Sequence, residues 1–325
     1  MSSIIEIDQA TKEFVTKRGL LKRTTNITRA LDRVTLTINE NEIFGLIGES
    51  GSGKTTLGLA MLRLIGLNGG KIYFRGEDIF SLKKKQLFNF REKAQMIFQD
   101  PYGSLNPVLT VYKSVSTPLK AFHKEMSEEE VLDKVIKTLE RVGLTPVEQF
   151  LNKFPTQMSG GQRQRVGIAR AVISDPEFIV ADEPVSMLDV SLRADILNIL
   201  IDLKLKLKKS IMFISHDIAV TQYVSDRIAV MHLGQIVEMA GSREIIKNPL
   251  HPYTKTLIDS IPVPDPNKKW NADEIVEQIS EYTNEGKNEC SYANKCPFVK
   301  SVCREKRPDL KEVEKNHFVA CVLYD

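Results

Sequence analysis

The octapeptide Gly48-Glu49-Ser50-Gly51-Ser52-Gly53-Lys54-Thr55 sits between an apolar run, EIFGLI, and an apolar-periodic one, LGLAMLRLIG. A glycine-rich turn of this spacing, leaving a strand and opening a helix, wraps its backbone around phosphate oxygens. Gly48, Gly51 and Gly53 let the main chain come close, Lys54 supplies a mobile positive charge, and the Thr55 hydroxyl can be offered to Mg2+. Ser50, Ser52 and Thr56 complete the candidate nucleotide-binding set. The same feature constrains the fold: the strand must lie in a sheet and the helix must cover a face of it, so the chain is of α/β class.

The rest of the chain agrees. Short runs rich in Ile, Val and Phe alternate with amphipathic segments, which predicts strands over Ile4–Ile7, Ala30–Ile38, Glu42–Ile47, Lys71–Phe74, Ala94–Phe98, Phe178–Ala181, Ile211–Ile214 and Ile228–Met231. Helices are predicted to begin at Lys54, Ser127, Ser159 and near Leu188. Ser127 with Glu130 makes a capping box, and Leu132, Val135, Leu139 and Val142 read as one apolar stripe. The stretch 103–170 is mostly helical and reads as a subdomain inserted into the α/β core. Three prolines over Ile261–Pro266 place a boundary there, giving a first domain of residues 1–260 and a polar, Cys-bearing extension of residues 261–325.

The chain has 325 residues, 42% of them hydrophobic, and a net charge of +3. That suits two ordinary globular units and is too mild to indicate a nucleic-acid partner. Lys83-Lys84-Lys85 and Lys204, Lys206 and Lys208 read as solvated faces. No apolar run is long enough to span a bilayer, and MSSIIEIDQA does not look like a secretory leader, so a cytosolic location is expected.

Two further motifs carry chemistry. Phe178-Ile179-Val180-Ala181 ends in Asp182-Glu183, where Asp182 can hold Mg2+ and Glu183 can orient and polarise an attacking water. Met158-Ser159-Gly160-Gly161-Gln162 opens an apolar-periodic helix whose free N–H groups suit a second phosphate contact. Two phosphate-facing helix starts in one small unit are explained most simply by two chains meeting across a dimer interface.

Together these motifs resemble those of the ATP-binding subunits of ATP-binding-cassette (ABC) transporters, over about residues 3–325. MSGGQ is similar to that family's signature, with Met158 where leucine is usual. The resemblance implies an ABC-type nucleotide-binding fold with a mixed sheet core, an antiparallel β subdomain and an inserted helical subdomain. It implies ATP hydrolysis with Mg2+ held by Thr55, Asp182 and Gln99. Gln99 in IFQDP resembles the Q-loop glutamine, Asp189 in SMLD the D-loop aspartate of the dimer, and His216 in FISHD the switch histidine at the γ-phosphate. Ser159, Gly160, Gly161 and Gln162 would act in trans. Phe14 stands where the family stacks an aromatic on adenine, and packing within the first hairpin is an equal reading of it.

QDPYGSLNP, DEPVSMLDVSLRADIL and NPLHPYTKTLIDSIP are similar to the oligopeptide/dipeptide importer group. That likeness implies a second ATP-binding subunit, a paralogue in a heterodimer, with KRGLLKR the cue to this chain's place in the pair. It also implies two permease subunits, an extracytoplasmic substrate-binding protein, and a place on the cytoplasmic face of the membrane. Cargo is selected by other chains, so oligosaccharides or nickel remain alternatives, and a soluble ABC ATPase acting on ribosomes or DNA is the reading from another class. All four cysteines, Cys290, Cys296, Cys303 and Cys321, crowd the tail. Their spacing lacks the close Cys pairs of zinc ribbons and leaves an iron–sulfur cluster, zinc and bare thiols open. The group resemblance implies a [4Fe-4S] site, although WNADEIVEQISEYTNEGKNE, with the lone Trp270, departs from the group and reads as helical.

Overall fold

The computed structural model describes residues 2–18, 24–260 and 289–325, with side chains 16–18 and 24–26 left out. The boundary expected at 261–266, the helix expected around Trp270 and most of KRGLLKR lie outside these residues.

In chain order the strands are β1 (Ser3–Arg18), β2 (Thr24–Asn39), β3 (Ile43–Ile47), β4 (Gly69–Phe74), β5 (Glu77–Asp78), β6 (Ala94–Ile97), β7 (Phe178–Asp182), β8 (Ser210–Ser215), β9 (Arg227–His232), β10 (Gln235–Gly241), β11 (Lys311–Glu314) and β12 (His317–Val319). The helices are α1 (Lys54–Met61), α2 (Lys84–Lys93), α3 (Pro101–Ser104), α4 (Val111–Phe122), α5 (Glu128–Arg141), α6 (Glu148–Leu151), α7 (Gly160–Val172), α8 (Val190–Leu207), α9 (Ile218–Val224), α10 (Ser242–Lys247), α11 (Pro252–Asp259) and α12 (Val302–Glu305). One sheet is antiparallel, in the order β2-β1-β4-β5. The other is mixed, β11-β12-β10-β9-β3-β8-β7-β6, with β9, β3, β8, β7 and β6 running parallel.

The parallel strands are mostly apolar, with polar residues chiefly at their ends, because helices or the second sheet cover both faces. Alternate residues go to opposite cores. Ile179, Ala181, Ile211 and Phe213 join the cluster shared with the helical subdomain, while Phe178, Val180, Met212 and Ile214 join the one shared with the antiparallel sheet. The helical insertion expected over 103–170 is built from α3 to α7. The capping box is present: Glu130 N donates to Ser127 Oγ (3.3 Å) and Ser127 N to Glu130 Oε2 (2.8 Å).

Three expectations need correction. The buried face of α5 is Val131, Val135, Thr138 and Leu139, continued by Val142, while Leu132 is 38% exposed; Val135, Leu139 and Val142 are as expected, and only the first member differs, because the helix turns Val131 rather than Leu132 inward. Strand β10 was not expected, since Glu238 interrupts its apolar run. Nor were β11 and β12, which extend the main sheet by pairing β12 to β10 (Glu238 with Val319, Met239 with Phe318). The lysine runs lie on helices as expected of solvated faces: Lys84 and Lys85 open α2, and Lys204 and Lys206 pair with Asp226 and Asp202.

Replacing Leu139, which is fully buried, with alanine is expected to cost about 2–5 kcal/mol. Leu132→Ala should stay within about 0.5 kcal/mol. Denaturant unfolding of the two variants distinguishes the observed face from the expected one.

Candidate functional site

Parallel pairing sets the site. Ile97 pairs with Ala181, Ala181 with Phe213, and Phe213 with Gly45, so one step further along the strands Asp182 lies beside Ile214 and Leu46. The residues just past the strand ends, Gln99 after β6, Glu183 after β7, His216 after β8 and Gly48 after β3, therefore emerge side by side. Ligands of open α/β sheets bind at this carboxyl edge.

The loop after β3 needs its glycines. Gly53 has φ +104°, and a Cβ there would lie 2.2 Å from the Ala30 carbonyl oxygen; at Gly48, φ +154°, a Cβ would meet the Met231 carbonyl oxygen at 2.1 Å. Lys54 Nζ folds back onto the loop and donates to the carbonyls of Gly48 and Glu49, each at 2.8 Å. Burial pulls the Lys54 ammonium below its ordinary pKa, opposed by Glu183, Asp182 and Glu49. Ser52 is buried, Thr56 half-buried, and Ser50, Gly51 and Thr55 face solvent.

Asp182 closes β7. Burial raises its carboxyl pKa, while the hydrogen bond from Thr55 pulls it down. Thr55 Oγ1 donates to Asp182 Oδ1 at 3.2 Å. Adjacent oxygens in an Mg2+ octahedron stand roughly 2.9 Å apart, so the pair formed by the buried Asp182 and the solvent-facing Thr55 fits a divalent cation. Glu183 holds a backbone φ of +43°, a strained value for a non-glycine residue, and its N–H continues the ladder to Ile214 O (2.9 Å). Its carboxylate is gripped from both sides: His216 Nδ1 is 3.0 Å from Oε1, and Gln99 Nε2 donates to Oε2 at 3.3 Å. Gln99 thus faces Glu183 rather than the Thr55–Asp182 pair.

The signature run lies elsewhere. Ser159 caps α7 by accepting from Gln162 N (3.3 Å), and Gln162 Oε1 accepts from Ser159 N (3.1 Å). Gly161 is buried where a Cβ would strike Leu192 at 2.8 Å, whereas Gly160 has room. Among the described residues no hydrogen bond or ion pair links 159–162 to 48–56. Asp189 is exposed and caps α8 through Leu192 N (3.0 Å), the local role open to it from the sequence. Phe14 is 45% exposed, with Lys12 Nζ 5.2 Å over its ring, so it is not core. It pairs with Thr28, two residues from the Ala30 carbonyl that abuts Gly53.

The tail docks on two buried carboxylates. Asp32 receives Arg307 (3.4 Å) and Gln235 Nε2 (2.9 Å), and Glu238 receives His317 Nε2 (2.7 Å) together with the N–H groups of Leu250 and His251. The four cysteines are free and gather in one place. Burial pushes the Cys290 thiol up to about 11, with Cys303, Cys321 and Cys296 adding to the shift. Beside them Tyr253, Tyr292, His232 and His251 form a buried aromatic cluster. Tyr253 Oη accepts from the loop N–H of Glu49 at 3.1 Å. NPLHPYTK stood out in the sequence, but this contact, across 204 positions, has no local signal.

Residues 31–186 match the family described as ABC transporter, and residues 237–303 the oligopeptide/dipeptide transporter C-terminal region. The oligopeptide transport ATP-binding protein AppF of Bacillus subtilis (strain 168) is 40% identical over 325 residues, covering 99% of this chain and 98% of that protein. OppF of Salmonella typhimurium is 40% identical, covering 91% and 88%. Among solved structures, the dimeric post-hydrolysis ATP-binding cassette MJ0796 bound to ADP and Pi is similar with a TM-score of 0.65 and 32% identity, over 74% of this chain and 99% of that one.

Burial holds His232 down to about 4, helped by Lys295, and His251 down to about 3, helped by His232. Unfolded, both return to about 6.5. The unfolded chain then binds more protons than the folded one below that value, so stability rises with pH across this window and is lost on acidification. Thermal unfolding midpoints should fall between pH 6.5 and 4.5, with a shallower slope in His232→Gln; an unchanged slope would assign the acid sensitivity to other groups.

Proposed function

This chain belongs to the ABC transporter family, in its oligopeptide/dipeptide group, and on that premise we propose that it powers peptide import as one of two ATP-binding subunits docked on two permease chains. It is an ATP-binding subunit and an ATPase. In the proposed assembly the second ATP-binding subunit is a paralogue, a substrate-binding protein delivers di- or oligopeptides from outside, and the chain sits on the cytoplasmic face of the membrane. No described helix is long and apolar enough to cross that membrane itself. Residues 1–260 would form the cassette, with the helical subdomain at about 103–170, and residues 261–325 the extension.

One observation carries the mechanism: Gln99, Glu183 and His216 meet at a single carboxylate beside the Gly48–Thr56 loop, while the signature run lies apart from that loop. Each chain then holds half of two sites. Gly48, Ser50, Gly51, Ser52, Gly53, Lys54, Thr55 and Thr56 would cradle the phosphates, and Phe14 would stack on adenine. Mg2+ held by Thr55 and Asp182, and by Gln99 only if that side chain turns from Glu183, would neutralise phosphate charge. Ser159, Gly160, Gly161 and Gln162 of the second subunit would close over the γ-phosphate, with Asp189 at the dimer seam. Glu183 would take the proton of the attacking water and His216 would hold Glu183 and the γ-phosphate in line. Hydrolysis would cleave the γ-phosphoryl group from ADP, and departure of the phosphate would take away the group that the two halves share, loosening the dimer.

We also infer that Cys290, Cys296, Cys303 and Cys321 hold a [4Fe-4S] cluster. Cys303 is buried and the other three are partly buried; burial first, and the neighbouring thiols after it, raise the pKa of Cys290, Cys296 and Cys321, and such thiols become thiolates most readily when a cationic centre binds them.

Glu183→Gln should keep MgATP binding and bring the two permease chains down with it from solubilised membranes, while turnover falls by about 100-fold or more. Wild-type turnover would remove Glu183 from its role, and an absence of permeases would remove the transporter assignment. Protein purified without oxygen should carry iron and acid-labile sulfide; a folded, colourless protein lacking both excludes the cluster.

A further inference from the structure

Among the described residues, two hydrogen bonds tie loop 48–53 to parts of the fold beyond its own strand and helix. Gly234 N donates to Ser52 O at 2.8 Å, and Glu49 N donates to Tyr253 Oη at 3.1 Å. The first comes from the β9–β10 turn next to the loop. The second comes from α11, and its donor and acceptor are 204 residues apart in sequence.

Tyr253 is a rigid anchor. It is 1% exposed, and burial pushes its phenol pKa upward, so the hydroxyl stays neutral. Its ring is held 4.3 Å from that of His232 and 5.3 Å from that of Tyr292. Tyr292 stands two residues past Cys290, and its Oη is 3.1 Å from Thr256 Oγ1 on α11, the helix that carries Tyr253. Packed side chains therefore run without a gap from the cysteine-bearing tail to the entrance of the nucleotide loop, and Cys290 and Cys296 pack against the same apolar cluster as the two tyrosines.

We propose that Tyr253 is a positioning residue of the nucleotide loop and that Tyr292 transmits the packing of the tail to it. The inference rests on residues 48–56 being the ATP loop. A loop whose N–H groups must converge on phosphate binds more tightly when it is ordered beforehand, because less ordering is left for the binding step. Tyr253 supplies that order at Glu49, where the chain leaves β3 and begins to wrap. It touches no phosphate, so its loss should appear in affinity rather than in the chemical step.

The test uses the full chain with MgATP: titration with a fluorescent ATP analogue, steady-state ATPase kinetics, and thermal unfolding. Tyr253→Phe removes the hydroxyl and keeps the ring. It is expected to raise the nucleotide Kd and the KM for ATP roughly two- to tenfold, the effect of one ordinary hydrogen bond, with kcat changed less than twofold. Tyr292→Ala should shift Kd in the same direction, and the double variant should weaken binding by less than the product of the single effects. A Tyr253→Phe protein with wild-type Kd and KM but a lower melting temperature would overturn the positioning role and leave a packing one. Multiplicative single effects would overturn the link to the tail. Lys54→Ala keeps the readings separate: if it binds nucleotide as tightly as wild type, the assignment of the loop itself fails, whatever Tyr253 does.

Discussion

Everything in the site depends on the parallel pairing of β6, β7, β8 and β3. Four strands running the same way in register put four loop starts along one edge, and each supplies a different group: the Gln99 amide, the Glu183 carboxylate, the His216 imidazole and the glycine-rich loop. Such strands form only where both faces are covered, which the helical subdomain and the antiparallel sheet accomplish from opposite sides. The strain at Glu183, with φ +43°, is the local cost of turning the chain sharply while keeping its N–H on the ladder.

The site is electrostatically poised. Lys54 is buried and satisfied by loop carbonyls, and Asp182 is buried against Thr55. Burial moves the pKa of each toward its neutral form, so an incoming polyphosphate and divalent cation would relieve both groups at once. Glu183 is held by His216 on one oxygen and Gln99 on the other. Gln99 lies between β6 and α3, so the segment that leads into the helical subdomain also carries the side chain bonded to the Glu183 carboxylate.

The tail and the cassette share one sheet. Strand β12 pairs with β10, and the fully buried Asp32 and Glu238 each gain a partner from the tail: Arg307 joins Arg29 and Arg33 at Asp32, and His317 Nε2 lies 2.7 Å from Glu238. Removing either tail residue would leave a carboxylate buried with fewer partners, which is costly. The aromatic cluster of His232, Tyr253 and Tyr292 then lies between the nucleotide loop and the cysteines, enclosed by both parts of the chain.

The residues themselves determined whatever depends on short range. The glycines and lysine of the loop, the Asp182–Glu183 pair at a strand end, the capping box at Ser127, and the starts of α1, α5, α7 and α8 are written in neighbouring positions, because local hydrogen bonds and periodicity have local causes. The first member of the α5 stripe escaped, since Leu132 is as apolar as Val131 and only the packing of α4 and α7 decides which of them turns inward. Strand β10 looked broken at Glu238, and β11 is exposed at every position, so neither carried the usual alternation. Glu238 can lie in a buried strand because N–H groups from Leu250 and His251 and the ring of His317 reach it. The bond from Glu49 to Tyr253 exists for the same reason. Such contacts join segments tens to hundreds of residues apart, and only the folded sheet brings them within reach.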